Sequence, residues 1–288
     1  MIAPSIAPMH DSRWREGLRL AATRPTGIAS TLVLFVLLAA AIAAPVLTSY
    51  SPVEMTAGSE LLAPSPEHPF GTDEYGRDLL SRALFGLRIS IVAGGLSTLA
   101  GGSIGVALGL FAGFRGGRTE VVIMRIIDGL LAFPAILMGI AVVAALGPGL
   151  RNVAATIAFV QVPVFARLAH GTALAEKHKD YVTAAIAIGA SPRRVMLQHI
   201  LLNSLSPLVV QAALGMGFSV LIEASLSFLG LGIEPPEPSL GSILDASRSK
   251  MRHAYWYPLF PGAILTMLLF ALNGAADVLN DVLNPRPH

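Results

Sequence analysis

The side chains capable of chemistry are few in this sequence, and they are scattered. His68, His170, His178 and His199 fall in separate polar segments with no ligand spacing. They read as surface residues rather than as a metal centre. A His-Glu-x-x-His pair is absent, and so is a Gly-x4-Gly-Lys-Ser/Thr loop that would cradle phosphates. With no cysteine there is no thiolate chemistry, and the redox compartment stays open. Asp73, Glu74 and Asp78 lack the alternation of a calcium loop. They read as a helix N-terminus, with Thr72 as cap and acids in the first turn. No catalytic residue and no metal ligand is assigned, so the chain is expected not to be an enzyme. Three charges stand out because their surroundings are apolar: Arg125, Asp128 and Glu223. Arg125 and Asp128 lie three apart on one helix and are expected to form a structural salt bridge. Glu223 has no partner nearby in sequence. Either it lines a watery path or it bonds to another helix, and both readings stay open.

These charges need elements to hold them, and the composition says what kind. Hydrophobic residues make up 53% of the 288-residue chain and charged residues only 13%. The charged share is about half that of ordinary soluble domains. The apolar residues are also clustered into runs, each near the roughly 20 residues that span a bilayer. The runs are Gly27–Thr48, Ile89–Phe114, Val122–Leu146, Asn152–Ala166, Ser204–Leu231 and Pro258–Ala276. The fourth is short, and Arg151 and Arg167 at its ends can snorkel to lengthen it. An all-α integral membrane protein of six transmembrane helices is predicted. Its tail is 1–26, its first span 27–48 and its first external loop 49–87. Residues 88–286 form a five-helix core. A signal peptide cleaved at Ala41–Ala44 is the rival for the first run. That run is too long, and its leading tail too extended, for cleavage. Within the second run Gly101, Gly105, Gly109 and Gly113 recur every four residues, which lines one helix face with small residues for close packing. Tyr255-Trp256-Tyr257 suits a headgroup layer.

Lys and Arg are unevenly placed. The tail, 115–125, 167–203 and the C-terminal end together hold 13 of the 20. The positive-inside rule puts both termini and 167–203 in the cytoplasm, and the acidic 49–87 segment outside.

The longest charged island between apolar runs is 180–203, within a loop at 171–203, and it carries its own punctuation. Tyr181–Ile188 reads as a short helix. Gly189 suits a left-handed C-terminal cap, and Ser191-Pro192 is an N-cap followed by a first-turn proline. A second helix follows from Arg193. Thr183-Ala184-Ala185, three residues, Gly189, ten residues and Ile200-Leu201 resemble the "EAA" loop of ABC-importer permeases. Thr183 stands where that pattern often has Glu, and Leu202 stands near its expected Pro. Other blocks extend the resemblance to the dipeptide/oligopeptide/nickel branch, C-subunit type. They are His68-Pro-Phe-Gly-Thr-Asp-Glu-Tyr-Gly-Arg-Asp-Leu-Leu-Ser-Arg82, Asp128 to Pro134, Glu223 to Gly232 with Pro235-Pro236, and Asp277 to Arg286. Together they span about residues 65–286.

That resemblance implies a six-span importer subunit in a bacterial plasma (inner) membrane. It would pair with a homologous sister permease, dock two cytoplasmic ATPase subunits and receive substrate from an external or periplasmic binding protein. ATP and Mg would reside in the ATPases, with no cofactor in this chain. Lipid surrounds it, and nucleic acid is not implied. Its 180–203 segment would be the coupling helix, presenting Ala184, Ala185 and Gly189 as a small-sided docking face beside Thr183, Ser191 and Pro192. Arg193 and Arg194 would meet acidic or carbonyl groups. Peptide is the expected cargo; nickel, glutathione and opines are alternatives within the family. An ion-coupled secondary transporter is the rival class, but paired broken helices in two matching halves are not seen.

Overall fold

The computed structural model describes residues 25–284. The arginines of the tail and Arg286, on which the charge argument partly rests, lie outside the described residues. Among the described residues ten α-helices follow in order: α1 (Pro25–Leu47), α2 (Leu79–Arg115), α3 (Gly117–Leu131), α4 (Ala135–Leu146), α5 (Leu150–Lys177), α6 (Asp180–Ala187), α7 (Pro192–Arg194), α8 (Leu205–Phe228), α9 (Leu240–Ser247) and α10 (Trp256–Leu283). A π-helical stretch, Val195–Leu201, continues α7. Among the described residues, α1, α2, α5, α8 and α10 are each long and apolar enough to cross a membrane. The pair α3–α4 makes a sixth crossing only if its two halves count as one span.

That pair corrects the expected third span. Its two helices meet at 95°, although the apolar run is uninterrupted. Pro134 lacks an N–H and crowds the residue before it out of helical geometry, so the chain turns at Ala132-Phe133-Pro134.

The spine of the molecule is α2 against α5. At 37 residues, α2 is about 55 Å long, well beyond a hydrocarbon core of about 30 Å. It starts ten residues before the second apolar run, so the expected loop end at 87 is already helical. Asp78, not Thr72, is its cap: the carboxylate accepts from the Ser81 N–H at 2.7 Å. Thr72 instead accepts from the Leu62 N–H at 2.8 Å and donates to the Ser59 carbonyl, which pins the preceding loop.

Around the spine, α8 packs on α2 and α10 on both α8 and α1. Leu37, Leu87, Val220, Leu268 and Leu272 form one shared core. A second, of Val143, Val153, Ile157, Ile222 and Leu226, ties α4 to α5 and α8. Large apolar side chains also cover the outside, with Val46 88% and Ile42 77% exposed. In water such a surface would be unstable; in lipid it is the expected exterior.

The 232–257 segment, between the fifth and sixth apolar runs, contains α9. Ser239 and Ser242 form a reciprocal capping box at its start. Gly241 lets it seat on α8: a Cβ there would lie 2.3 Å from the Ala224 carbonyl oxygen. Of the three aromatics expected in a headgroup layer, Tyr255 is exposed, but Trp256 and Tyr257 turn inward. Tyr257 donates to Glu74 at 2.6 Å and so fastens α10 to the first loop.

Candidate functional site

Segment 180–203 is built by local rules. Gly189 has φ +84°, where only glycine is unstrained. Its N–H reaches the Ile186 carbonyl, and the Ala190 N–H reaches Ala185, both at 3.0 Å. This is a Schellman end. Ser191 then accepts from the Arg194 N–H at 3.4 Å, and Pro192 occupies the first turn. The helix–glycine–helix reading of the sequence thus matches the backbone, except that the second helix passes into the π-helical stretch after three residues.

Burial sorts the side chains into two faces. Val182 turns inward beside Val195 and Ile200, onto Leu110 of α2, Ala169 and Ala173 of α5, and Leu208 of α8, and Ala185 is buried too. Thr183, Ala184, Gly189, Ser191, Pro192, Arg193 and Arg194 are exposed. The expectation that Ala185 shares an outer face with Gly189 is corrected. Val182 and Ala185 are three apart, so both fall on the stripe that roots the helix to the bundle. The residues missed by sequence reasoning are Ile186 and Ile188, 54% and 86% exposed. A signal was present for Ile188, six residues after Val182 and so well round the helix from the rooted stripe; Ile186, four after Val182, gave none. Arg194 donates to Gln198 at 2.9 Å and is held in place. Tyr181 donates to Glu176, which also takes Lys179 at 2.6 Å. Partial burial and the bond to Glu176 push the Tyr181 hydroxyl up to about 12.

The spaced glycines lie where α2 meets α5. A Cβ would meet the carbonyl oxygen of Ala158 at 2.3 Å from Gly101, of Val162 at 2.4 Å from Gly105 and of Ala166 at 2.2 Å from Gly109. At Gly113 it would meet the Ala173 side chain at 2.9 Å and the His170 carbonyl at 3.1 Å. Buried hydroxyls and an amide stitch these helices to each other and to α8. Gln161 donates to the Gly215 carbonyl at 2.8 Å, Thr98 and Ser219 lie 2.9 Å apart, and Ser97 donates to the Ala154 carbonyl at 2.9 Å.

The apolar-zone charges find partners that sequence distance conceals. Glu223 is fully buried and accepts from Ser90 of α2 at 2.6 Å and from Ser227 at 2.8 Å. Of its two open readings, the contact to another helix is the one present. Asp128 pairs with Arg167 of α5, not with Arg125. An i,i+3 pair on one helix is worth only a few tenths of a kcal/mol, so the neighbouring helix competes easily. His68 is also corrected. It is 9% exposed, and its Nδ1 lies 2.9 Å from Asp78, beneath the first loop. His170 faces Glu120 at 2.7 Å.

The far end of α2, opposite 180–203, holds a second polar cluster. Asp73 accepts Arg77 Nε at 2.6 Å and lies 3.3 Å from Arg82 Nε. Beside it opens a cavity of about 680 Å³, whose lining includes Glu74, Arg77, Arg82, Glu234, Glu237 and Asp245.

Residues 105–288 match the family described as binding-protein-dependent transport system inner membrane component. The chain is 40% identical over 275 residues to the dipeptide transport system permease protein DppC of Alkalihalophilus pseudofirmus, covering 96% of this chain and 90% of that protein. It is 40% identical over 262 residues to the probable D,D-dipeptide transport system permease protein DdpC of Escherichia coli, covering 91% and 88%. To the glutathione transport system permease protein GsiD of Pectobacterium atrosepticum it is 40% identical over 274 residues, covering 95% and 91%.

Proposed function

The chain belongs to the family of binding-protein-dependent transport system inner membrane components, and from that premise we propose that it is the permease subunit of an ATP-driven peptide importer. The relatives named for dipeptide and glutathione transport support peptide as the cargo class, since glutathione is itself a small peptide. A nickel, opine or ion-coupled reading has no comparable support.

The observation that carries the mechanism is the exposed apolar pair Ile186 and Ile188 on a rigid, self-capped element. Exposed isoleucines on a short segment outside the spans are costly in water and suit a protein socket. In this reading 180–203 is the coupling element with the EAA spacing, and its outer face seats in an ATPase subunit. Thr183, Ala184, Gly189, Ser191 and Pro192 offer small or polar surface there, and Arg193 and Arg194 supply cations. The inner face, through Val182, Ala185 and Ile200, hands displacement to α2, α5 and α8. The chain itself is non-catalytic. ATP and Mg act in two partner ATPases, whose nucleotide state favours one permease conformation over another. A sister permease completes the path, and a binding protein delivers peptide at the end bearing Arg77 and Arg82. Both termini and 180–203 face the cytoplasm.

The test is purification followed by reconstitution. Co-isolation with a sister permease and two ATPases, then ATP-dependent uptake of a dipeptide into proteoliposomes containing the binding protein, is expected. Uptake by the isolated chain without ATPases would overturn the proposal. Because the chain has no cysteine, single cysteines at Ile188 and Glu237 report sidedness directly. An impermeant maleimide added to intact cells should label the second and spare the first.

A further inference from the structure

The cavity at the end of the bundle opposite 180–203 is lined by charges of both signs, and its arginines keep donors to spare. Asp73 serves both arginines. Its Oδ1 accepts the Tyr75 and Arg77 backbone N–H groups at 2.9 and 3.0 Å, so only Oδ2 faces the two guanidinium groups. The other acids nearby are taken: Glu74 by the Tyr257 hydroxyl, Asp78 by His68 and the Ser81 N–H. Each guanidinium has five N–H donors. Arg82 spends one well, on the Pro52 carbonyl at 2.8 Å, and has a long contact of 3.5 Å to Pro236. Its Nε is buried in a residue only 6% exposed and makes no hydrogen bond of good geometry, although Asp73 Oδ2 lies 3.3 Å away. A buried donor so weakly satisfied is costly. The lining also carries carboxylates. Glu234 and Glu237 are exposed and have no ion pair among the described residues, and Asp245 is held only loosely, by Arg248 at 3.5 Å.

We propose that this cavity is a cargo subsite for a zwitterionic peptide, with the carboxylate received by Arg77 and Arg82 and the ammonium by Glu234, Glu237 and Asp245. A molecule carrying both charges a few bonds apart offers a partner to the arginines and to the carboxylates. The volume of about 680 Å³ lies in the range of small-molecule sites and accommodates a di- or tripeptide. This subsite rests on the peptide-importer reading and adds residue-level recognition to it.

The test uses the intact permease–ATPase complex in nanodiscs without binding protein, titrated by calorimetry with Ala-Ala, N-acetyl-Ala-Ala and Ala-Ala-amide. Ala-Ala is expected to bind, and each capped form to bind about tenfold more weakly or worse, as for loss of a charged hydrogen bond. The double variant Glu234→Gln/Glu237→Gln sits on exposed positions and should fold. It should abolish the preference for Ala-Ala over its N-acetyl form while keeping the preference over the amide. Arg77→Gln should do the reverse; should it fail to fold, the glutamine pair decides alone. Equal binding of all three peptides, no binding of Ala-Ala, or an unchanged profile in the glutamine pair would overturn the subsite. Uptake of Ala-Ala by the complete transporter in parallel separates the two ideas. Uptake persisting without cavity binding refutes the subsite alone, and no peptide uptake refutes both.

Discussion

A methyl group placed on Gly105 of α2 would sit 2.4 Å from the carbonyl oxygen of Val162 on α5. The same relation holds four residues on, between Gly109 and Ala166, and four residues back, between Gly101 and Ala158. The two backbones touch, and no side chain can yield. Gly105→Ala or Gly109→Ala therefore has to push α2 from α5, an overpacking cost of about 1–3 kcal/mol. Gly129 in α3 has nothing within 4 Å of its would-be Cβ, so Gly129→Ala should be neutral or stabilising by up to about 1 kcal/mol. Thermal unfolding of the purified variants checks both, and equal melting temperatures for Gly105→Ala and Gly129→Ala would refute the seam.

Ile188 is 86% exposed and makes no part of any core. Ile188→Asp should change stability by less than about 0.5 kcal/mol, yet ATPase co-purification should fall at least about tenfold. Gly189 gives a paired test: Gly189→Asn keeps a residue tolerant of positive φ, whereas Gly189→Glu adds strain and a charge to the outer face. The first should retain uptake; the second should leave the complex expressed but uncoupled. Normal uptake by Gly189→Glu would count against 180–203 as the coupling element.

Glu223 ties α8 to α2 through Ser90. Glu223→Ala strands the Ser90 and Ser227 hydroxyls in a buried site, at about 1–3 kcal/mol. A packing role predicts that protein yield and melting temperature drop while uptake per folded complex is kept. If uptake falls with stability intact, Glu223 acts in the path instead.

Asp128 and Arg167 link the bent pair to α5. Both are about half exposed, so the pair should contribute no more than about 1 kcal/mol. Asp128→Arg and Arg167→Asp should each impair stability slightly, and the double exchange should restore it. Additive losses in that cycle would show the pair to be incidental.

Much of this architecture was legible because it depends on backbone rules. Glycines every four residues signal close contact without any partner being known, and Gly189, Ser191 and Pro192 each demand one local geometry. What escaped depends on tertiary context. Pro134 sits in an unbroken apolar run, and apolar periodicity says nothing about a 95° bend. The partners of Asp128 and Glu223 lie 39 and 133 residues away, so neighbour rules could not find them. Thr72 looked like a cap because acids follow it, but Asp73 was needed by two arginines and the helix waited for Asp78. In 180–203 the small residues were visible, while which of them is buried, as Ala185 is, was decided by how the segment seats on the bundle.

A joint closed on main-chain atoms has no slack. The α2–α5 pair therefore moves as one strut, about 55 Å from Leu79 to Arg115. Compliance has to reside outside the strut, at the Ala132–Pro134 elbow and in the π-helical stretch leading into α8.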